Sequence, residues 1–229
     1  MPSMESFART LHGVLQGIEN AATLSGRPGA VKLLAVSKTR PAEAVRALAA
    51  VGQRAFGENY VQEGVAKRQA LADLDLEWHL IGHLQSNKSR EAAEHFDWVH
   101  SLDRPKLVDA LGQARPADRP PLNVLIQVNV DGEASKSGCA PADVMALAGR
   151  IAAAPRLRLR GLMAIPEPHP DPAHRRDAFR RLKALQDRLA AAHPSVDTLS
   201  MGMSDDYALA IAEGSTLVRI GTALFGRRD

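Results

Sequence analysis

The feature that most constrains this chain is an alternation: eight short runs of β character alternate with eight longer stretches of helical period. The β-type runs are Val31–Val36, Arg54–Gly57, Glu77–Ile81, Trp98–Ser101, Leu122–Val130, Leu157–Ile165, Val196–Met201 and Leu217–Gly221. Between them fall Pro41–Val51, Glu58–Leu71, Ser86–His95, Arg104–Gln113, Pro141–Ala153, Asp171–His193 and Ser204–Glu213, with a further helical stretch, Met4–Leu24, ahead of the first strand. Strand and helix in strict alternation argue for a parallel sheet with helical crossovers. Eight such pairs predict a single closed (β/α)8 TIM barrel, an α/β fold that typically takes about 250 residues. At 229 residues the chain leaves little room for a second domain and reads as one unit, 1–229. An open doubly wound sheet is the structural alternative. Turn formers cluster at Ser25–Gly29, Arg115–Pro121 and Pro166–Pro172, none long enough to link domains.

Composition narrows the function classes. With 45% hydrophobic and 24% charged residues the chain can bury a full core. Its 29 basic and 26 acidic side chains give a formal charge of +3, far from the clustered excess of a nucleic-acid binder, so no nucleic-acid partner is expected. Cys139 is the only cysteine, which rules out an intramolecular disulfide, and Met1 to Gly13 lacks the pattern of a secretory signal. The expected address is cytoplasmic. Polar residues interrupt every apolar segment before the ~18 residues a membrane span needs, so no membrane partner is expected. Without an obvious apolar surface stripe, a monomer is expected.

In a β/α barrel the chemistry sits at the C-terminal ends of the strands. There the first strand delivers Ser37-Lys38-Thr39, the second Gly57-Glu58-Asn59, the third His83-Leu84-Gln85-Ser86-Asn87-Lys88, and the fifth Gln127-Val128-Asn129. Lys38 follows the apolar run Leu33–Val36, a placement that lowers a lysine pKa and suits a Schiff-base nucleophile; a solvated loop lysine is the plainer alternative. Strands seven and eight supply Ser200-Met201-Gly202-Met203-Ser204 and Arg219-Ile220-Gly221-Thr222, where barrels commonly hold phosphate. Glycines admit an anion to backbone N–H groups, and Ser204 is placed to cap the following helix. Ordinary turn chemistry accounts for the same residues. An imine-forming lysine opposite a phosphate cradle describes a phosphorylated aldehyde, most economically pyridoxal 5′-phosphate, although a sugar-phosphate aldolase also fits. Arg219 helps to separate these, since an arginine facing a pyridine nitrogen keeps it unprotonated.

Other signals carry less. His79 and His83 stand four apart but cross from strand to loop with no third ligand in view, so no metal is expected. Arg156, Arg158 and Arg160 share one strand face and read as a solvated strand entrance. Asp171–His193 reads as an amphipathic outer helix, and Cys139 as incidental.

Seven motifs in order carry a resemblance that covers about Val31 to Gly226: AVSKT at 35–39, FGENYVQE at 56–63, WHLIGHLQSNK at 78–88, IQVNVDGEASKSG at 126–138, GLMAIP at 161–166, LSMGMSDDY at 199–207 and RIGTALFG at 219–226. With them the chain resembles the pyridoxal phosphate homeostasis proteins, single-barrel relatives of the alanine racemase N-terminal domain. The resemblance implies that Lys38 carries the imine and that Ser204, Gly221 and Thr222 hold the phosphate, with Ser200 and Met201 nearby. It further implies that Arg219 faces the pyridine nitrogen, that Asn59 lies beside the cofactor, and that His79 and His83 lie near it without an assignable role. Alanine racemase takes its second base, a tyrosine, from an added domain of the partner subunit; here the only tyrosines are Tyr60 and Tyr207, each just inside a predicted helix. The family is accordingly taken to carry and buffer pyridoxal phosphate and to pass it to apo-enzymes. Contact with other B6 vitamers is a corollary, and amino-acid racemization the alternative.

Overall fold

Apolar runs bounded by turn formers become strands here, and each strand is followed by a helix that lays one apolar face on the sheet. The computed structural model describes residues 3–133 and 137–226. Residues 134–136 of the IQVNVDGEASKSG motif, and both extremes of the predicted 1–229 domain, lie outside the described residues. The strands are β1 (Lys32–Val36), β2 (Ala55–Glu58), β3 (Glu77–Leu80), β4 (Trp98–Leu102), β5 (Leu122–Gln127), β6 (Leu157–Met163), β7 (Thr198–Ser200) and β8 (Leu217–Ile220). The helices are α1 (Met4–Leu24), α2 (Ala42–Ala50), α3 (Val61–Ala70), α4 (Ser89–His95), α5 (Pro105–Ala114), α6 (Val144–Ala152), α7 (Pro172–Ala192), α8 (Tyr207–Ala212) and α9 (Thr222–Phe225). Helix starts follow local chemistry. Ser3 caps α1 through the Ser6 N–H at 3.2 Å, Asp171 caps α7 through Ala173 at 2.8 Å, and proline opens both α5 and α7.

All eight strands are parallel and pair in chain order. β1 closes on β8 over Lys32↔Leu217 to Ala35↔Ile220, giving the predicted closed barrel. The main core lies between barrel and helices, where side chains such as Phe56, Leu80, Val99, Leu111, Ile151, Phe179 and Leu182 are buried. Each such side chain contributes about 2 kcal/mol of burial. Trp98, Leu125 and Met163 form a cluster separate from the main core, and the polar side chains described below lie beside it. One irregularity is built in. The β5–β6 register shifts between Val124 and Leu125, opposite Gly161, whose φ of 145° and crowding against the Thr198 carbonyl leave no space for a Cβ.

Several strand ends are shorter than predicted. β5 stops at Gln127 instead of Val130 because Val128 bridges to Cys139 and the Asn129 N–H bonds to the Cys139 carbonyl, which folds the chain back on itself. β6 ends at Met163, two residues before the predicted Ile165, and β7 covers only the middle of Val196–Met201. The helix expected from Ser204 begins at Tyr207, and Asp206, not Ser204, holds the N-cap position. The short α9 was not predicted. No described helix is long and apolar enough to cross a membrane.

Candidate functional site

The C-terminal mouth of the barrel opens into a cavity of about 520 Å³. Lys38 lies on its wall just beyond β1, with Asn59 after β2, His83 after β3, Ser204 after β7, and Arg219, Gly221 and Thr222 from β8 and the start of α9. Six of the predicted residues, Lys38, Asn59, Ser204, Arg219, Gly221 and Thr222, thus share one chamber, as does His83. Among the described lining residues Arg40 adds a third cation, against the single carboxylate of Asp205, so the chamber is electropositive. The intrahelical bonds of α9 begin with Leu224 and Phe225 donating to the Gly221 carbonyl, so the N–H groups of Thr222 and Ala223 have no partner within the helix.

The segment that bears Lys38 is held in place from outside the barrel. Lys67, almost fully buried on α3, donates to the Ser37 carbonyl at 2.6 Å, to Glu58 Oε1 at 2.7 Å and to Glu63 Oε1 at 2.8 Å, using all three of its donors. The Ser37 hydroxyl donates to the same Glu58 oxygen at 2.6 Å, and the Thr39 N–H donates to Glu63 at 2.5 Å. Thr39 has a φ of 63°, unusual for a β-branched residue, and is the only described non-glycine with positive φ. Burial pushes the Glu58 carboxyl up from its ordinary value, against the opposing hydrogen bond and charge of Lys67.

Arg219 is 4% exposed at the inner end of the chamber. Its Nη1 donates to the Ser200 carbonyl at 2.8 Å and to Ser200 Oγ at 2.7 Å, and its Nη2 donates to the Ala164 carbonyl at 2.9 Å. Burial lowers its pKa to about 10, which leaves it cationic at neutral pH. Beneath it a polar chain crosses the barrel. Ser200 Oγ lies 3.2 Å from His100 Nδ1, His100 Nε2 lies 2.9 Å from His79 Nδ1, and His79 Nε2 lies 2.8 Å from Glu77 Oε1. Glu77 stands half exposed at the start of β3, at the floor of the barrel.

Three predicted site residues therefore lie elsewhere than the chamber. Ser200 is fully buried under Arg219. Met201 packs in the outer core, and its N–H bonds to the Leu217 carbonyl, so it presents nothing to the mouth. His79 is interior, stacked on Trp98 at 5.2 Å, while His83 sits on the rim 3.3 Å from the Ser137 hydroxyl; the two do not meet. Among the described residues no group of three His, Cys, Asp or Glu side chains is arranged to hold a metal. Neither tyrosine lines the chamber: Tyr60 is 62% exposed, and the Tyr207 hydroxyl presses on Gly17 of α1. Arg160 is more than a solvated entrance residue, since it stacks over Trp98 and pairs with Asp197 at 2.6 Å. Sequence reasoning missed His100, Arg40 and Ser137, whereas Gln127, named at the end of the fifth strand, does line the chamber. The alternation Trp98-x-His100 is the one signal that pointed inward.

A cationic chamber with Lys38 on its wall and the hydroxyls of Ser204 and Thr222 near helix starts fits the donor set that a phosphorylated aldehyde requires, and its volume lies in the range of cofactor sites. Residues 16–229 match the model of the alanine racemase N-terminal domain. A pyridoxal phosphate homeostasis protein of Pseudomonas aeruginosa is 58% identical over 99% of this chain and 97% of its own length. One of Escherichia coli is 53% identical over 99% and 98%. The structure of PipY from Synechococcus elongatus with pyridoxal phosphate bound is 40% identical, covers 92% of this chain and 99% of its own, and superposes with a TM-score of 0.79.

Proposed function

The chain belongs to the alanine racemase N-terminal domain family, and on that premise we propose that it binds pyridoxal 5′-phosphate at Lys38 and serves intracellular homeostasis of that cofactor. The observation that carries the reading is the convergence of Lys38 from β1 with Ser204, Gly221 and Thr222 from the β7 and β8 ends on one electropositive chamber. Pyridoxal phosphate bound there supplies an aldehyde carbon that condenses reversibly with a primary amine. Lys38 offers that amine, and the bonds from Lys67 and Glu63 to the residues on either side of it fix the direction from which it reaches the chamber. Ser204, Thr222 and the first N–H groups of α9 are the phosphate donors, and Asn59 lines the wall beside Lys38. Arg219, a cation that can only donate, faces the ring nitrogen and gives it no proton-bearing acid, which weakens the ring as a sink for electrons.

That weak sink, and tyrosines that stay away from the chamber, favour carriage over turnover: the protein buffers the cofactor in the cytoplasm, as a monomer, accepts related B6 vitamers and hands the cofactor to apo-enzymes. The test is the absorption of the purified protein in the near-ultraviolet and violet, with borohydride reduction and mass analysis of the Lys38 peptide. A visible band that Lys38→Ala abolishes, with the reduced adduct on Lys38, is the expected result. A colourless wild-type protein after incubation with cofactor sinks the proposal, and fast exchange of the α-proton of L-alanine in deuterated water would replace carriage with racemization.

A further inference from the structure

An arginine only donates hydrogen bonds and an ionised carboxylate only accepts them, and the barrel interior joins one of each through three intermediate side chains. Starting at the mouth, Arg219 Nη1 donates to Ser200 Oγ, which leaves the hydroxyl proton for His100 Nδ1. His100 then carries its proton on Nε2 and donates it to His79 Nδ1, and His79 donates from Nε2 to Glu77. Every link points from mouth to floor. This direction requires a neutral His100, and burial, with the charges of His79 and Arg219, pushes its pKa well below the ordinary value. At the floor the hydrogen bond from His79 holds Glu77 below the usual carboxylate range in spite of its burial.

We propose that His100 and His79 are positioning residues for Arg219, and that Glu77 sets the direction of the whole chain. A half-exposed carboxylate on one face of the barrel thereby acts on the guanidinium at the other. The proposal rests on Arg219 being the cofactor-facing residue. If the chain reversed, Ser200 Oγ would accept from both His100 and Arg219 and its own proton would need a new acceptor, which loosens the anchor of the guanidinium. The charged groups around the floor are Glu77, Lys32 from β1, Arg160 over the Trp98 ring, and Asp197, which Arg160 and Arg158 offset. Around His100 they are His79 and Arg219.

The test uses the full chain, ¹⁵N-labelled, with the imidazole nitrogens observed by NMR in the cofactor-free protein. Wild type is expected to show His100 and His79 each protonated on Nε2, with both Nδ1 atoms as bare acceptors. In Glu77→Gln the amide accepts or donates equally well and imposes no direction, so both histidines are expected to show mixed tautomers. Ser200→Ala removes the link at the other end and is expected to leave the tautomers as they are. In the cofactor-loaded protein, Glu77→Gln is expected to shift the pH midpoint of the visible band. A proton on His100 Nδ1 in wild type, or histidine spectra unchanged in Glu77→Gln, overturns the proposal. A wild-type protein that takes up no cofactor defeats the functional reading alone, and the cofactor-free spectra still decide the direction of the chain.

Discussion

Replacing Lys67 with methionine keeps most of the side-chain volume and removes one charge from a buried pair. Glu58 is fully buried, and without Lys67 it retains only the hydroxyl of Ser37, because its Oε2 already has no hydrogen-bond partner. Removing one member of a buried ion pair costs about 3–5 kcal/mol, since the partner charge is stranded. The pH dependence has a definite sign. The folded-state pKa of Glu58 is already raised by burial, and losing the hydrogen bond and charge of Lys67 raises it further. A carboxyl whose folded pKa exceeds its unfolded value, about 4.3, destabilises the fold above that folded pKa and recovers as pH falls toward the unfolded value. The deficit in Lys67→Met is therefore largest at neutral pH and shrinks on acidification. Urea unfolding of both proteins at neutral pH and near pH 5 reads this directly, and adding Glu58→Gln to the variant should restore about 2 kcal/mol at neutral pH. A deficit under about 1 kcal/mol, the scale of an exposed pair, or one that is equal at the two pH values, would refute the argument.

Thr222→Val and Ser204→Ala should each weaken cofactor binding by roughly 10-fold to 100-fold through loss of a charge-assisted hydrogen bond, read by absorbance titration; unchanged affinity in both would remove them from the phosphate site. Gly161→Ala should cost about 4 kcal/mol or more, because its φ of 145° and the Thr198 carbonyl both exclude a Cβ, and soluble yield and thermal melting report the loss. Cys139 is buried, with its thiol pKa pushed up to about 12 by burial, so a thiol-specific chromogenic reagent should leave the folded protein unlabelled at mildly alkaline pH and label it in urea.

The barrel was legible because eight apolar runs alternating with eight helical periods call for a parallel sheet, and the pairing of β1 with β8 decides for closure over the open doubly wound alternative. The strand ends were not. Val128, Val130 and Ile165 extend the apolar runs, but Val128 and Val130 are buried beyond the ends of the ladder and Ile165 lies on the chamber wall, which a run of apolar letters does not distinguish. Lys38, Asn59, Ser204, Gly221 and Thr222 were legible because each follows a strand and so falls at the mouth, and Arg219 because it lies next to the C-terminal end of β8. Ser200 and Met201 were set near the phosphate by the resemblance, and at the end of β7 they face opposite ways, Ser200 under Arg219 and Met201 into the outer core, while Ser204 lost its capping role because the helix starts three residues later. His79 and His100 face inward on strands buried on both sides, where the pattern of apolar residues no longer tells the faces apart. The Lys67–Glu58 pair joins a helix to the strand before it and leaves no local signature at all.

Closure of the sheet also limits how other molecules can engage this protein. Each of the eight strands has a neighbour on both sides, so the barrel offers no row of unpaired N–H and carbonyl groups along which a foreign strand could zip. Recognition of a partner through the barrel wall by β-augmentation is thereby closed off, which leaves the loops and helices outside the sheet as the surfaces a partner could meet.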